Sequence, residues 1–225
     1  MLDPHSSSRV TTGSVVGPHG RGASRAKAAP RRLVVGISGA SGAVYGVELL
    51  RALRRAREEG RAAVETHVIV SEAARETIKL ELGLEPAEVE ALADRAHDVC
   101  DLTAPLSSGS FLTEGMVIAP CSIKTLSGIV GSFSANLLLR AADVTLKEGR
   151  KLILLVRETP LHKGHLRLMA EAADLGAVIM PPVPAFYHRP RTIEDLVGFT
   201  VGRVLDHLGI EHGLYRRWGT ATDVE

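Results

Sequence analysis

The stretch LVVGISGASGAVYG, Leu33 to Gly46, decides the fold class, because a buried-strand run passes through a glycine-rich turn directly into an amphipathic helix. Leu33 to Ile37 is a short apolar run, Gly36, Gly39 and Gly42 permit a tight turn, and Val44, Val47, Leu50 and Leu53 recur at helical spacing. Unpaired N–H groups and the macrodipole favour negative charge at the start of such a helix, so phosphate is expected there, with Ser38 and Ser41 adding hydroxyl donors. The spacing of Gly39-Ala40-Ser41-Gly42 is neither that of G-x-G-x-x-G nor that of a Walker A sequence, and no Lys follows. Two readings stand side by side, a phosphate or nucleotide site and a structural β–α turn.

Outward from this unit the chain keeps alternating strands and helices. Val64 to Val70 reads as a strand, Glu72 to Leu82 as a helix stopped by Gly83, and Pro86 to Asp98 as an acidic helix. Met116 to Ala119 is a short buried strand, followed by a helical run over Ile123 to Val130 that Ser122 is placed to cap. Lys151 to Val156 and Ala177 to Met180 give two further strands, and helices follow at about Lys163 to Asp174 and Thr192 to Leu208. This order predicts an α/β fold, a largely parallel sheet with helices on both faces, and ligands beyond the carboxyl ends of the strands. The turn at Gly39 to Gly42, Ser71, Pro120 to Thr125, Arg157 to Pro160 and Pro181 to Pro190 all fall at such ends. Ser71 and Ser122 can each be a plain helix N-cap, a ligand contact, or both.

Composition narrows the classes. The 225 residues carry a formal charge of +1, with no Lys/Arg stripe interleaved with aromatics, which disfavours nucleic acid. No window approaches the ~18 apolar residues of a spanning helix, and Cys100 and Cys121 are too few for a disulfide framework or zinc site, which fits a reducing, cytoplasmic compartment. Met1 to Arg31 is rich in Ser, Gly, Pro and Arg without apolar periodicity and reads as a disordered tail. A single domain is expected over residues 32–219, with a short C-terminal tail at 220–225.

The strings GISGASGAVYG (36–46), PLSSGSF (105–111), MVIAPCSIKTLSGI (116–129), NLLLRAADVTLKE (136–148), LLVRETPL (154–161), PPVPAFYHRP (181–190), VGRVLDHLGI (201–210) and RRWG (216–219), in this order, resemble the UbiX-type flavin prenyltransferases. The resemblance implies a Rossmann-like flavoprotein that transfers a dimethylallyl group from dimethylallyl monophosphate to reduced FMN. A bond to N5 and a second to C6 close a fourth ring. It also implies that a separate UbiD-type decarboxylase uses the prenylated FMN, and that the chain forms homo-oligomers, commonly dodecamers, with sites at subunit contacts.

By motif, the resemblance implies FMN contacts at Gly39, Ala40, Ser41, Ser71, Ser122, Ile123, Lys124, Thr125 and Arg140. Backbone donors, hydroxyls and a guanidinium suit a phosphate and the polar edge of a flavin ring. The allyl phosphate side would be Lys147, Arg157, Tyr187 and Arg203, with Glu158 and Glu81 as acidic partners and Trp218 near the apolar tail. Two Arg and a Lys offset the charge that builds on a departing phosphate without a metal, and aromatic faces stabilise an allyl cation. Glu158 is given proton handling and phosphate positioning, and Glu81 a similar role.

Bland readings accompany each: Arg140 as a helix-surface residue, Arg157 and Glu158 as a surface pair, Glu81 as a last-turn residue, Trp218 as a packing anchor and Tyr187 as a loop cover. His162 and His165 have H-x-x-H spacing but no matching third ligand, so a loop or helix-start role is expected. Cys121 reads as a buried thiol and His188 as a solvated ring. Gly149 and His162 to His165 depart from the family pattern outside the implied site. Two alternatives are an oxidative cysteine decarboxylase, whose second motif is absent here, and a non-catalytic flavin-binding subunit of a decarboxylase complex. Retention of the second phosphate set argues against the latter.

Overall fold

In a computed structural model of the chain, residues 31–219 are described; the expected tails, apart from Arg31, lie outside them. Strand β1 (Arg31–Ile37) takes a central place, paired in parallel with β2 (Val64–Val70) on one side and β4 (Gly115–Cys121) on the other. β3 (Arg95–His97), β5 (Lys151–Val156) and β6 (Val178–Ile179) complete an all-parallel sheet of order β3-β2-β1-β4-β5-β6. This is the doubly wound order, and it reverses direction between β1 and β4.

That reversal also assigns the helices to faces, because right-handed crossovers running one way along a sheet and then the other leave opposite sides covered. α1 (Ala43–Glu58), α2 (Glu72–Leu82), α3 (Pro86–Glu90) and α7 (Ile193–His207) pack on one face, where Leu33, Val35 and Ile37 of β1 meet Leu50, Ile78 and Val201. α4 (Ile123–Val130), α5 (Leu137–Lys147) and α6 (Lys163–Asp174) cover the other face, around Val34, Met116, Leu126, Leu138 and Leu154. A strand buried on both sides needs apolar residues at successive positions, which is why β1, β4 and β5 read as continuous runs. Among the described residues no helix is long and apolar enough to cross a membrane.

Two elements differ from the sequence expectation. The acidic helix expected over Pro86 to Asp98 ends at Glu90, and the chain then turns into β3. Asp94 is the cause: its carboxylate accepts from the Thr66 N–H at 2.8 Å and the Thr66 hydroxyl at 3.0 Å, and its own N–H donates to the Thr66 carbonyl. This clasp draws residues 95–97 into pairing with β2, and non-local bonding overrides local propensity. The second difference is α5, an additional helix opened by Asn136, whose side chain accepts from the Leu139 N–H at 3.0 Å.

The β2–β3 edge also holds a stacked histidine pair, buried His67 and half-buried His97, joined through their ring nitrogens at 2.9 Å. Burial, reinforced by His97 and the nearby Arg32 and Arg95 against the opposing pull of Glu65, lowers the His67 pKa to about 4.

Candidate functional site

At the switch point the loops leaving β1 and β4 are stitched together by Ser38. Its hydroxyl donates to the Pro120 carbonyl at 2.9 Å and accepts from the Ser122 N–H at 2.8 Å, while its own N–H reaches the same carbonyl. Ser38 is only 1 % exposed. The expected ligand donor is therefore a structural tie, and Ser122 is the hydroxyl it leaves facing outward.

The glycine-rich turn holds a further correction. Gly42, at φ 100° in the left-handed region, starts α1, and the carboxylate of Glu81 already receives its N–H (2.8 Å) and that of Ala43 (3.0 Å). The phosphate expected at this helix start is thus pre-empted by an internal anion, the charge the macrodipole favours. Partial burial pushes the Glu81 pKa up, but the Ser41 hydroxyl, the two N–H groups and Arg157 outweigh it and hold the carboxyl below its usual range. A carboxylate held this way is a cap and a fixed negative charge, not a ready proton donor. Ala40, in the same turn, donates its N–H to the Ser38 carbonyl at 2.8 Å.

The open space lies beside this turn, a cleft of about 300 Å³ between the starts of α2 and α4. Gly39, Ser71, Ser122, Lys124 and Thr125 line it together. Gly39 is needed because a Cβ there would collide with the Cβ of Ala73 on α2. Ser71 and Ser122 both cap their helices, accepting from the Ala74 and Thr125 N–H groups at 3.2 Å, and both still face the cleft. Two helix starts, three hydroxyls and one Lys make a donor set suited to a phosphorylated ligand. Ile123, the first residue of α4, is half-buried against the core of that face. Sequence reasoning missed Leu138 and Leu139 of α5 and Val99 and Cys100 of the β3 loop, which form the apolar wall, and the polar cap Asn136 beside them. The Asn136 cap ahead of an apolar run was the available signal.

Other candidates lie apart. Arg140 turns from the cleft, its guanidinium bonded to the Ser107 carbonyl (3.0 Å) and Asp143 (2.8 Å). Lys147 ends α5, about 16 Å along the helix from Asn136 at 1.5 Å per residue, and pairs with Glu148. Arg157 follows β5, with its N–H on the Cys121 carbonyl and its charge felt by Glu81 and Tyr45. Glu158 is exposed and accepts from the Thr159 N–H at 2.9 Å. Cys121 is fully buried, and burial alone pushes its thiol up.

A third group forms on the outer side of α7. Tyr187 meets Trp218 edge-on at 5.4 Å and Phe199 at 5.7 Å, His188 stacks on Phe199 at 4.7 Å, and Arg203 bonds to Tyr215. Tyr187, Phe186 and Trp218 are largely exposed. The expected allyl phosphate set is therefore not joined within one chain: Lys147 lies on the α5 face of the sheet and Arg203 on the α7 face.

The Flavoprotein family profile matches residues 21–205. The chain is 60 % identical over 190 residues to the flavin prenyltransferase UbiX of Escherichia coli K12, covering 84 % of this chain and 98 % of that one. It is similar, at 48 % identity and a TM-score of 0.81, to the crystal structure of AnUbiX (PadA1) in complex with FMN and dimethylallyl pyrophosphate, covering 85 % of this chain and 99 % of that one. A dodecameric FMN-dependent UbiX-like decarboxylase from Escherichia coli O157:H7 superposes with a TM-score of 0.80 at 48 % identity, over 84 % of this chain and all of that one.

Proposed function

Because the chain belongs to the Flavoprotein family and, within it, to the UbiX-type flavin prenyltransferases, we propose that it transfers a dimethylallyl group from dimethylallyl monophosphate to reduced FMN. The observation that carries this reading is the cleft at the β1–β4 switch point, where two capped helix starts and Lys124 offer phosphate donors beside an apolar wall. Its volume falls at the lower end of the range for small-molecule pockets. Gly39, Ser71, Ser122, Lys124 and Thr125 would hold FMN, with Ala40, Ser41 and Ile123 shaping the same turns. Bound and reduced, FMN supplies the nucleophilic N5 and C6 that receive the prenyl carbons.

The chain's own residues do the rest. Arg157 and Arg203, with Lys147, stabilise the dianion that leaves as the allyl C–O bond breaks. Tyr187 and Trp218 exclude water and present π faces to the allyl group. Glu158 takes or returns a proton at the phosphate oxygen. Glu81 keeps the turn and Arg157 in place. Since Arg140 and Lys147 on one face, Tyr187, Arg203 and Trp218 on another, and the cleft at the strand ends cannot meet in one chain, neighbouring copies of a homo-oligomer supply them to one another. The exposed Phe186, Tyr187 and Trp218 beside α7 fit such a contact. A dodecamer is the assembly proposed, acting in the cytoplasm, where both free thiols persist, and handing prenylated FMN to a UbiD-type decarboxylase.

Anaerobic incubation with reduced FMN and dimethylallyl monophosphate, followed by mass spectrometry of the released flavin, tests the reading. A gain of one C5H8 unit is expected. FMN that binds and returns unmodified with both mono- and diphosphate donors would overturn it in favour of a flavin carrier.

A further inference from the structure

Around Asp206, on the last turn of α7, four side chains converge on one carboxylate. Arg217 donates to Oδ1 at 2.5 Å, His212 Nε2 lies 3.1 Å from the same oxygen, Arg203 reaches Oδ2 at 3.4 Å, and the Tyr215 hydroxyl donates to Oδ2. The Asp206 side chain is 14 % exposed. Burying a carboxylate is unfavourable unless it is paired and hydrogen-bonded. Here burial pushes its pKa up, but Tyr215, Arg217 and His212 outweigh that and hold it at about 2, so the charge is fixed at every working pH. Gly202, one turn earlier, makes room for the arrangement, because a Cβ there would lie 2.5 Å from the Tyr215 ring and 2.8 Å from His212.

Three of the partners, His212, Tyr215 and Arg217, come from the segment after α7 that leads to Trp218, whose ring meets Tyr187. We infer that Asp206, with Tyr215, is a positioning pair that fixes Arg203 and Trp218 against Tyr187 and so sets affinity for the allyl phosphate. Arg203 carries five N–H donors in a planar fork. Its bonds to Asp206 and Tyr215 orient the plane and leave the remaining donors for a phosphate. Two guanidiniums against one carboxylate keep the cluster net positive, so the anchor does not cancel the field that a dianion needs. Asp206 touches no reacting atom in this scheme and acts through Arg203 and Trp218.

This inference rests on the prenyltransferase reading, and its test separates the two. Full-length, FMN-loaded wild type, Asp206→Asn and Tyr215→Phe are compared for kcat, for KM toward dimethylallyl monophosphate, for FMN Kd, and for the fluorescence anisotropy of Trp218, the sole tryptophan. KM is expected to rise about tenfold in Asp206→Asn and about threefold in Tyr215→Phe, with FMN Kd changed less than about twofold. Trp218 anisotropy should fall in both. In an Arg203→Ala background, Asp206→Asn should raise KM less than about twofold further, because the two act as a unit. Unchanged KM and anisotropy, or full additivity with Arg203→Ala, overturns the assignment. Tyr215→Phe removes a single hydroxyl and decides the matter should Asp206→Asn fail to fold. If the wild type transfers no prenyl group, the functional reading falls, while the anisotropy of Trp218 in the two variants still supports or overturns the positioning role.

Discussion

The cleft and the α7 cluster are built on opposite plans. The cleft is made of backbone turns and helix caps next to one another at the strand ends, and its cap hydroxyls are tied locally, Ser71 to Ala74 and Ser122 to Thr125. The α7 cluster is made of long side chains from separated stretches, Tyr187, Arg203, Tyr215 and Trp218, gathered by aromatic edges and one half-buried carboxylate. The first is lined by residues of a single chain, while the second presents exposed aromatics outward. Flavin binding should therefore survive damage to the cluster, and prenyl transfer should not.

The sharpest way to break that comparison is Arg203→Ala. Prenyl transfer is expected to fall at least ~100-fold in kcat/KM, the scale of losing one transition-state donor, while FMN Kd changes less than twofold by fluorescence titration. Equal losses in both would erase the division. Gly39→Val strikes the other region: its side chain must displace Ala73, so destabilisation of about 2 kcal/mol and a tenfold or greater loss of FMN affinity are expected. Thermal melts and flavin titration read the two effects.

Acid should act on neither region specifically. His67 has a folded pKa of about 4, below its unfolded value of ~6.5, so the unfolded state binds more protons between those values. Its contribution is full above pH 6.5 and is lost as pH falls toward 4, about 2 kcal/mol by pH 5. A melting temperature lower by about 5 °C at pH 5 than at pH 7 is expected, and the difference should shrink in His67→Phe, with the remainder from His97, whose pKa burial also lowers. Smallest is Glu81→Gln, which keeps the shape of the α1 cap but removes its charge. A loss of about 1 kcal/mol at pH 7 is expected. Because the Glu81 pKa is depressed, this difference should shrink as pH falls through the carboxylate range, when wild-type Glu81 is itself protonated.

What the sequence revealed follows the same contrast. The β1–turn–α1 unit and α4 with its Ser122 cap were legible because strand period, turn residues and cap stand side by side. β3 was not, since the Asp94–Thr66 clasp that makes it is a contact across 28 positions. Nor was the duty of Glu81, which completes a helix start 39 residues away. The family motifs placed Lys147 and Arg203 in one set, but chain order says nothing about faces. The reversal between β1 and β4 puts their helices on opposite sides of the sheet.

In the proposed homo-oligomer, candidate phosphate-binding groups spread over opposite sides of the sheet would make each copy answerable for its neighbours' turnover. Mixed assemblies of two individually dead variants, one lacking Lys147 and the other lacking Arg203, would regain activity wherever intact faces meet. Dilution would silence the wild type without unfolding it, and a defective subunit would poison more than its own share of sites.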